Sequence, residues 1–384
     1  MKIDVMTKDK DIKTTVPTLR FREFQNDARW IPNKIDHVCK IGNGRDYKHL
    51  SAGNIPVYGS GGYMTSVDKF LYDGESVCIG RKGTIDKPIF LTGKFWTVDT
   101  LFYTYAFHKC LPKFLYLIFQ QINWYKYNEA GGVPSLLKTT IGNINIFIPN
   151  NENEQKKIVD CFSSLDDLIN AVADKIETLK EYKKGLMQQL FPAEGKTTPA
   201  FRFPEFQNKG EWEESTLGDI CDMQAGKFVS ASEICDVKKD TMYPCYGGNG
   251  LHGYTHSFTH FGIYPLIGRQ GAQCGNITYA EGKFHATEHA VVVTLKKDID
   301  IRWLYYQLIK LDLNQYATGQ AQPGLSVDVI KKVTIRIPKN KNEQQLIACG
   351  LFSVDELIST ETAKLDQLKA HKKGLMQQLF PKLQ

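Results

Sequence analysis

No stretch of this chain is long and apolar enough to read as a membrane span. Its first sixteen residues are mostly polar and lack the apolar segment of a secretion signal, so a cytoplasmic protein is expected. The nine cysteines include no Cys-x-x-Cys pair, which argues against both a zinc knuckle and a disulfide framework and predicts free, mostly buried thiols. Net charge is only +6, which permits a polyanionic partner without requiring one. No Asp/Asn-Pro-Pro-Tyr/Phe motif is present, so adenine methyl transfer is not indicated.

What the chain does contain is itself, twice. Pro17-Thr18-Leu19-Arg20-Phe21-Arg22-Glu23-Phe24-Gln25-Asn26 returns as Pro199-Ala200-Phe201-Arg202-Phe203-Pro204-Glu205-Phe206-Gln207-Asn208, an offset of 182. Lys183-Lys184-Gly185-Leu186-Met187-Gln188-Gln189-Leu190-Phe191-Pro192 returns unchanged as Lys372 to Pro381, an offset of 189. Between these anchors Pro56-Val57-Tyr58-Gly59 answers to Pro244-Cys245-Tyr246-Gly247, Ile79-Gly80-Arg81 to Ile267-Gly268-Arg269, Gly93-Lys94-Phe95 to Gly282-Lys283-Phe284, and Ile148-Pro149 to Ile337-Pro338. A period this long makes each copy a whole domain with an appendage, not a solenoid unit.

Each copy divides into a β-rich module and a long helix. In the first, Ser76–Ile79, Lys87–Leu91 and Thr100–Tyr105 read as short strands, and one helix is expected from Pro112 to about Tyr127. In the second, Val291–Leu295 reads as strand and Arg302–Leu313 as the matching helix. After each Ile-Pro the period changes. Ile158, Phe162, Leu165, Ile169, Val172, Ile176 and Leu179 follow the 4-3 spacing of a coiled-coil seam. Ile347, Leu351, Val354, Ile358, Leu365 and Leu368 take the equivalent places, with Glu361 a polar intrusion where Val172 stands in the first copy. A helix of nearly forty residues is roughly 55–60 Å long at 1.5 Å per residue and must bury its stripe. Antiparallel packing of the two helices on each other is expected, with a homodimeric coiled coil as the alternative. The expected fold is therefore α+β: two β-rich domains joined by two long helices in an antiparallel coiled coil. The expected boundaries are an N-terminal segment 1–16, a first module 17–150, a helix 151–192, a linker 193–198, a second module 199–338 and a second helix 339–381.

Three motifs invite a catalytic reading. His285-Ala286-Thr287-Glu288-His289 has the spacing of a helical zinc site, and a metal-dependent hydrolase built on it would carry bound zinc. Here it leads into an apolar run that reads as strand, and the first copy offers Trp96 and Thr100 in place of the two histidines. Only the acid is shared, Asp99 against Glu288. Glu281-Gly282-Lys283 resembles a nuclease Glu-x-Lys but is matched by Thr92-Gly93-Lys94, and Gly195-Lys196-Thr197 lacks the leading glycine of a phosphate loop. The chain is expected to have no catalytic residues and to bind no metal.

What remains is a set of polar, Gly-rich turns suited to nucleic acid. Tyr58, Ser60, Tyr63, Arg81 and Lys82 are the candidate DNA contacts of the first module. Tyr246, Asn249, His252, Arg269, Gln270, Gln273, Gln320 and Gln322 are those of the second. Arg and Lys suit guanine or phosphate, whereas Asn and Gln suit adenine. Gly80 and Gly268 are expected to serve backbone geometry rather than contact.

With the β-rich module ending in Ile-Pro, the Glu-Gln helix start (Glu154-Gln155 and Glu343-Gln344) and the Lys-Lys-Gly-Leu-Met-Gln-Gln-Leu-Phe-Pro helix end, all in duplicate, the chain resembles the specificity subunits of type I restriction-modification systems. The resemblance covers almost the whole chain. It implies two target-recognition domains on a helical spacer, a double-stranded DNA ligand, two methyltransferase subunits as partners, and restriction/translocase subunits that can join them. S-adenosylmethionine, ATP and magnesium would then belong to those partners, with no cofactor bound by this chain. Two such modules would read a split target, the spacer helices setting the unread gap. The competing expectation is a non-catalytic protein- or glycan-binding scaffold on a coiled coil.

Overall fold

A computed structural model describes residues 16–271, 273–319 and 323–382. The chain forms two compact units: one comprises the chain up to Ala173 together with that from Ala363 onward, the other Asp174–Thr362. Each unit thus holds one β-rich module and portions of both long helices, Glu152–Leu190 and Lys341–Leu379.

In the first unit a strand pair, Ile31–Lys34 with Asn145–Ile148, closes the module at its base. Four strands form one sheet in the order Lys40–Asn43, Leu101–Tyr105, Ser76–Gly80, Ile89–Leu91. Four more form a second, in the order Gly62–Val67, Ala52–Gly59, Lys94–Thr97, Tyr72–Asp73. The second unit repeats the base pair as Glu213–Thr216 with Thr334–Ile337. There the remaining strands make a single six-stranded sheet, because His260–Gly268 and Ile277–Ala286 run unbroken where the first module has shorter strands.

The helix expected from Pro112 to Tyr127 stops at Phe119 and is followed by a separate 3-10 turn, Trp124–Tyr127. Breaking there lets Trp124 fold back, its indole N–H donating to the Phe119 carbonyl at 2.9 Å with the rings 5.0 Å apart. Likewise the second-module helix runs Ile301–Lys310, with Asp312 in a left-handed conformation ahead of a 3-10 turn at Leu313–Tyr316.

The duplicated motifs explain one another in space. Glu154, 1% exposed in its side chain, accepts two hydrogen bonds from the Arg20 guanidinium at 2.7 Å and a third from the Trp30 indole at 3.1 Å. Glu343 does the same with Arg202 and Trp212 at 2.7, 2.8 and 3.1 Å. Next to each acid, Gln155 accepts from the Leu111 N–H and donates to the Pro149 carbonyl, while Gln344 accepts from Asp300 N–H and donates to Pro338. The Arg-Phe segment, the Ile-Pro strand end and the Glu-Gln helix start therefore form one lock in each unit. Fully satisfied hydrogen bonding is what permits these charges to be buried.

The identical helix ends have a role that sequence order conceals. Phe380 lies in the first unit's core, stacked on Phe114 at 5.4 Å and edge-on to Trp30 at 5.8 Å. Phe191 lies in the second unit's core, against Trp303 at 6.1 Å and Trp212 at 6.3 Å. Each helix end completes the core of the module it does not follow from. The Leu19 N–H donates to the Gln378 carbonyl at 2.9 Å, so the start of the first copy lies beside the end of the second helix.

Within each unit the two long helices pack antiparallel. Lys372 pairs with Asp166 at 2.5 Å in the first unit, and Lys183 with Asp355 at 2.7 Å in the second. These are equivalent pairs across the duplication, so the leading lysine of the repeated helix end sets the register. Of the seam, Ile158, Phe162, Ile347 and Leu351 are buried in the module cores, Val172, Ile176 and Val354 are also buried, and Leu165, Ile169, Leu179, Ile358, Leu365 and Leu368 are half-buried. Glu361, the polar intrusion, is 9% exposed and is ion-paired with Lys175 at 2.5 Å. All nine cysteines are free thiols. Six are buried and only Cys349 is exposed. Burial pushes the Cys39, Cys78 and Cys221 thiols up to about 12. Among the described residues, no helix is long and apolar enough to cross a membrane.

Candidate nucleic-acid interface

In the first module the candidate residues sit on turns that the sheets bring to one end. Strands Ala52–Gly59 and Gly62–Val67 form a hairpin with Ser60 and Gly61 at its tip. Tyr63 is 63% exposed, with Tyr58 edge-on beneath it at 6.1 Å. Tyr58 itself rests on the apolar cluster around Phe95 and Leu101, so it supports the hairpin more than it projects from it. Arg81 and Lys82, both exposed, follow strand Ser76–Gly80. Their turn is held by the Arg81 N–H donating to Thr100 O at 2.8 Å, the Leu136 N–H to Arg81 O at 2.8 Å and the Gly83 N–H to Pro134 O at 2.9 Å. Ser60 comes close enough that a Cβ on Gly83 would lie 3.3 Å from its hydroxyl. Four separated segments thus converge, around residues 58–63, 81–83, 97–100 and 130–136.

The second module repeats this anchoring bond for bond. The Arg269 N–H donates to His289 O at 2.9 Å, the Leu325 N–H to Arg269 O at 2.9 Å and the Gly271 N–H to Pro323 O at 3.0 Å. Gly80 and Gly268 are where close backbone approach forbids a side chain: a Cβ would fall 1.9 Å from Thr84 O in one and 2.0 Å from Gly248 O in the other.

Here the turns enclose an open cleft of about 540 Å³ whose lining includes Asn249, His252 and Gln270. Tyr246, like Tyr58, leans on the sheet, edge-on to Phe284 at 5.7 Å. Gln273 is exposed but lines a different hollow, beside Asp312 and Asn314. Gln320 and Gln322 lie outside the described residues. The cleft also presents groups that the sequence did not single out as contacts: Phe228, 75% exposed, and the neighbouring Glu288 and His289. Just before Phe228, the Lys227 N–H donates to Ala286 O at 2.8 Å, as the Arg45 N–H donates to Thr97 O at 2.8 Å in the first module. Gly44-Arg45 and Gly226-Lys227 are thus another shared landmark, a glycine followed by a cation, too short to stand out in the sequence.

The histidine motif is not a helix. His285 is the penultimate residue of strand Ile277–Ala286 and His289 stands in the turn before strand Ala290–Leu295. Both ring nitrogens of His285 are engaged, Nδ1 with the Ser257 hydroxyl and Nε2 with the Lys227 carbonyl, each at 3.0 Å. It is a buried structural histidine that ties the Lys227 turn to the sheet.

A duplicated β-rich module with equivalent anchoring and different polar tips, joined to its copy by paired long helices, defines a two-domain recognition protein. Comparison with known proteins narrows this class. The family model for the type I restriction modification DNA specificity domain matches twice, at residues 28–181 and 209–370. The chain is 38% identical over 165 residues to the EcoprrI specificity subunit of Escherichia coli, a match spanning 43% of this chain and 41% of that protein. It is 27% identical over 346 residues to the MjaVIII specificity subunit of Methanocaldococcus jannaschii, covering 81% of this chain and 77% of that one. The solved S subunit of a type I restriction-modification system from M. genitalium superposes with a TM-score of 0.71 at 17% identity, over 96% of this chain and all of that one. The chain belongs to the type I restriction-modification specificity family, whose members recognise DNA sequence.

Proposed function

We propose that each module reads one half of a split duplex target and that the paired long helices set the unread gap between the halves. The observation that carries this reading is the equivalence of anchoring combined with the difference of tips: Arg81-Lys82 and Arg269-Gln270 hang from the same pair of backbone hydrogen bonds. A surface serving one ligand twice has no reason to differ there. A reader of two unlike half-sites must differ, since Arg and Lys donate to guanine O6/N7 or to phosphate while Gln bonds adenine through two atoms.

On this reading the chain acts in the cytoplasm and contributes no chemistry. Two methyltransferase subunits and, with them, restriction/translocase subunits dock on it and bring S-adenosylmethionine, ATP and magnesium. Half-sites separated by about one turn of duplex suit two similar modules. The test is a genome-wide map of methyladenine in cells with and without this gene. A bipartite motif that disappears on deletion is expected, and its absence would sink the proposal. Adding a heptad to both long helices should lengthen the gap and leave each half-site unchanged.

A further inference from the structure

The equivalence of the two sets of turns extends to one further couple of side chains. Arg81 and Arg269 are equivalent, and so are Asp99 and Glu288. In each module the arginine's backbone N–H donates to the carbonyl of the residue right after the acid, Thr100 at 2.8 Å and His289 at 2.9 Å. The acids occupy equivalent tight turns, closed by the Leu101 N–H donating to Val98 O at 2.9 Å and the Ala290 N–H to Thr287 O at 3.0 Å. In the first module the Arg81 guanidinium lies back over this turn, with Nη1 donating to the Asp99 carbonyl at 3.4 Å. In the second, Glu288 is part of the cleft wall, its carboxylate 3.5 Å from the exposed His289 imidazole. A hydrogen-bond donor fork and an acceptor-only carboxylate therefore stand on adjoining turns in both copies. Among the described residues, neither arginine is ion-paired.

Turn chemistry does not account for the acid. An aspartate side chain can brace its own turn, but the longer glutamate does not, and the backbone closes both turns without either. Electrostatics alone disfavours it, because a carboxylate close to a polyanion is repelled unless it meets a donor. In the major groove the donors are the amino groups of cytosine and adenine, and the partner of cytosine presents the two acceptors that an arginine fork fits.

We propose that Arg81 with Asp99, and Arg269 with Glu288, each read one G·C pair, the arginine donating to guanine O6 and N7 and the acid accepting from cytosine N4. This rests on the reading of the modules as DNA-recognition domains and adds a constraint on the target: both half-sites contain a G·C pair, even though their other bases differ. The acid also supplies the rejection, since a carboxylate facing guanine O6 or thymine O4 sets acceptor against acceptor.

The test uses the assembled complex of this chain with its methyltransferase partner. Its affinity is measured for duplexes in which every position of the mapped motif is replaced in turn, with wild type, Asp99→Asn, Glu288→Gln, Arg81→Lys and Arg269→Lys. Glu288→Gln and Arg269→Lys are expected to lower discrimination about tenfold or more at a single G·C position of one half-site, and Asp99→Asn and Arg81→Lys at one position of the other. Binding is read directly, so a variant that no longer supports methylation still reports. A half-site without any G·C pair overturns the inference, as does a loss of affinity that is the same for every base at every position. A bipartite motif whose recognition ignores these four substitutions overturns it while leaving the two-module reading intact. Absence of any motif dependent on this gene would instead remove that reading itself.

Discussion

Phe380 sits edge-on to Trp30 with ring centroids 5.8 Å apart, although one lies at the end of the second copy and the other near the start of the first. The equivalent contact, Phe191 with Trp212 at 6.3 Å, closes the other unit. Each module's core is therefore finished by the helix end that belongs, in sequence, to its duplicate.

This exchange has a consequence that can be measured. Phe380→Ala should destabilise the first unit by about 3–5 kcal/mol, the usual cost of emptying a buried aromatic site. Phe191→Ala should do the same to the second. Hydrogen exchange would localise the loss: protection should fall across residues 17–150 for Phe380→Ala and across 199–338 for Phe191→Ala. Loss confined to the helix that carries the substitution would contradict the packing.

Removing Glu154 should be equally damaging for a different reason. Its departure strands the Arg20 guanidinium, 8% exposed in its side chain, and leaves the Trp30 indole without its acceptor. Glu154→Ala is expected to cost about 3–5 kcal/mol in chemical denaturation, and Arg20→Met combined with Glu154→Leu distinctly less. Equal costs for the single and the double substitution would show that the ion pair is not what matters.

The lysines of the repeated helix ends offer a weaker and more specific effect. Lys372 and Lys183 are partly covered, so each pair with Asp166 or Asp355 contributes about 0.5–1 kcal/mol. Lys372→Glu should lower the melting temperature, and adding Asp166→Lys should restore most of it. The Asp355 pair should resist reversal better, since Asp355 also accepts from the Tyr306 hydroxyl at 2.8 Å, where the first copy has Leu117. A double swap at Asp166 and Lys372 that recovers nothing would argue against the observed register.

Acid should act on the second unit through His260. Burial, with His285 and Lys227 nearby, holds its pKa below the ordinary histidine value of 6.5, and its ring stacks on Phe284 at 5.5 Å. Between the depressed folded value and the unfolded one the unfolded chain binds more protons, so stability rises with pH through that window and is level above it. As pH falls below about 6.5, wild type should lose stability relative to His260→Phe. Urea midpoints of both proteins at pH 5, 6 and 7 would show it, and parallel curves would rule it out.

Much of this molecule was legible in its residue order, because the determinants are local or repeated. The 4-3 spacing from Ile158 to Leu179 needs only the period of a helix, and the strand at Val291–Leu295 only a run of β-branched residues. Used as an internal alignment, the duplication also discounts the His285–His289 motif, since the first copy has Trp96 and Thr100 in place of the two histidines. It could not reveal what lies against what. Periodicity says that Leu190 and Phe191 are apolar, not which core they enter, and that choice rests on contacts such as those of Phe191 with Trp212 and Trp303, which form only when the second module folds. The same holds for Gln273, parted from its neighbours by one turn of backbone, and for Phe228 and Glu288, which become a cleft only when separate strands meet. The repeat and the helical seam were set by sequence alone. The exchange of helix ends and the assembly of the reading turns were decided by tertiary structure, since burial and hydrogen bonding select partners through space and not along the chain.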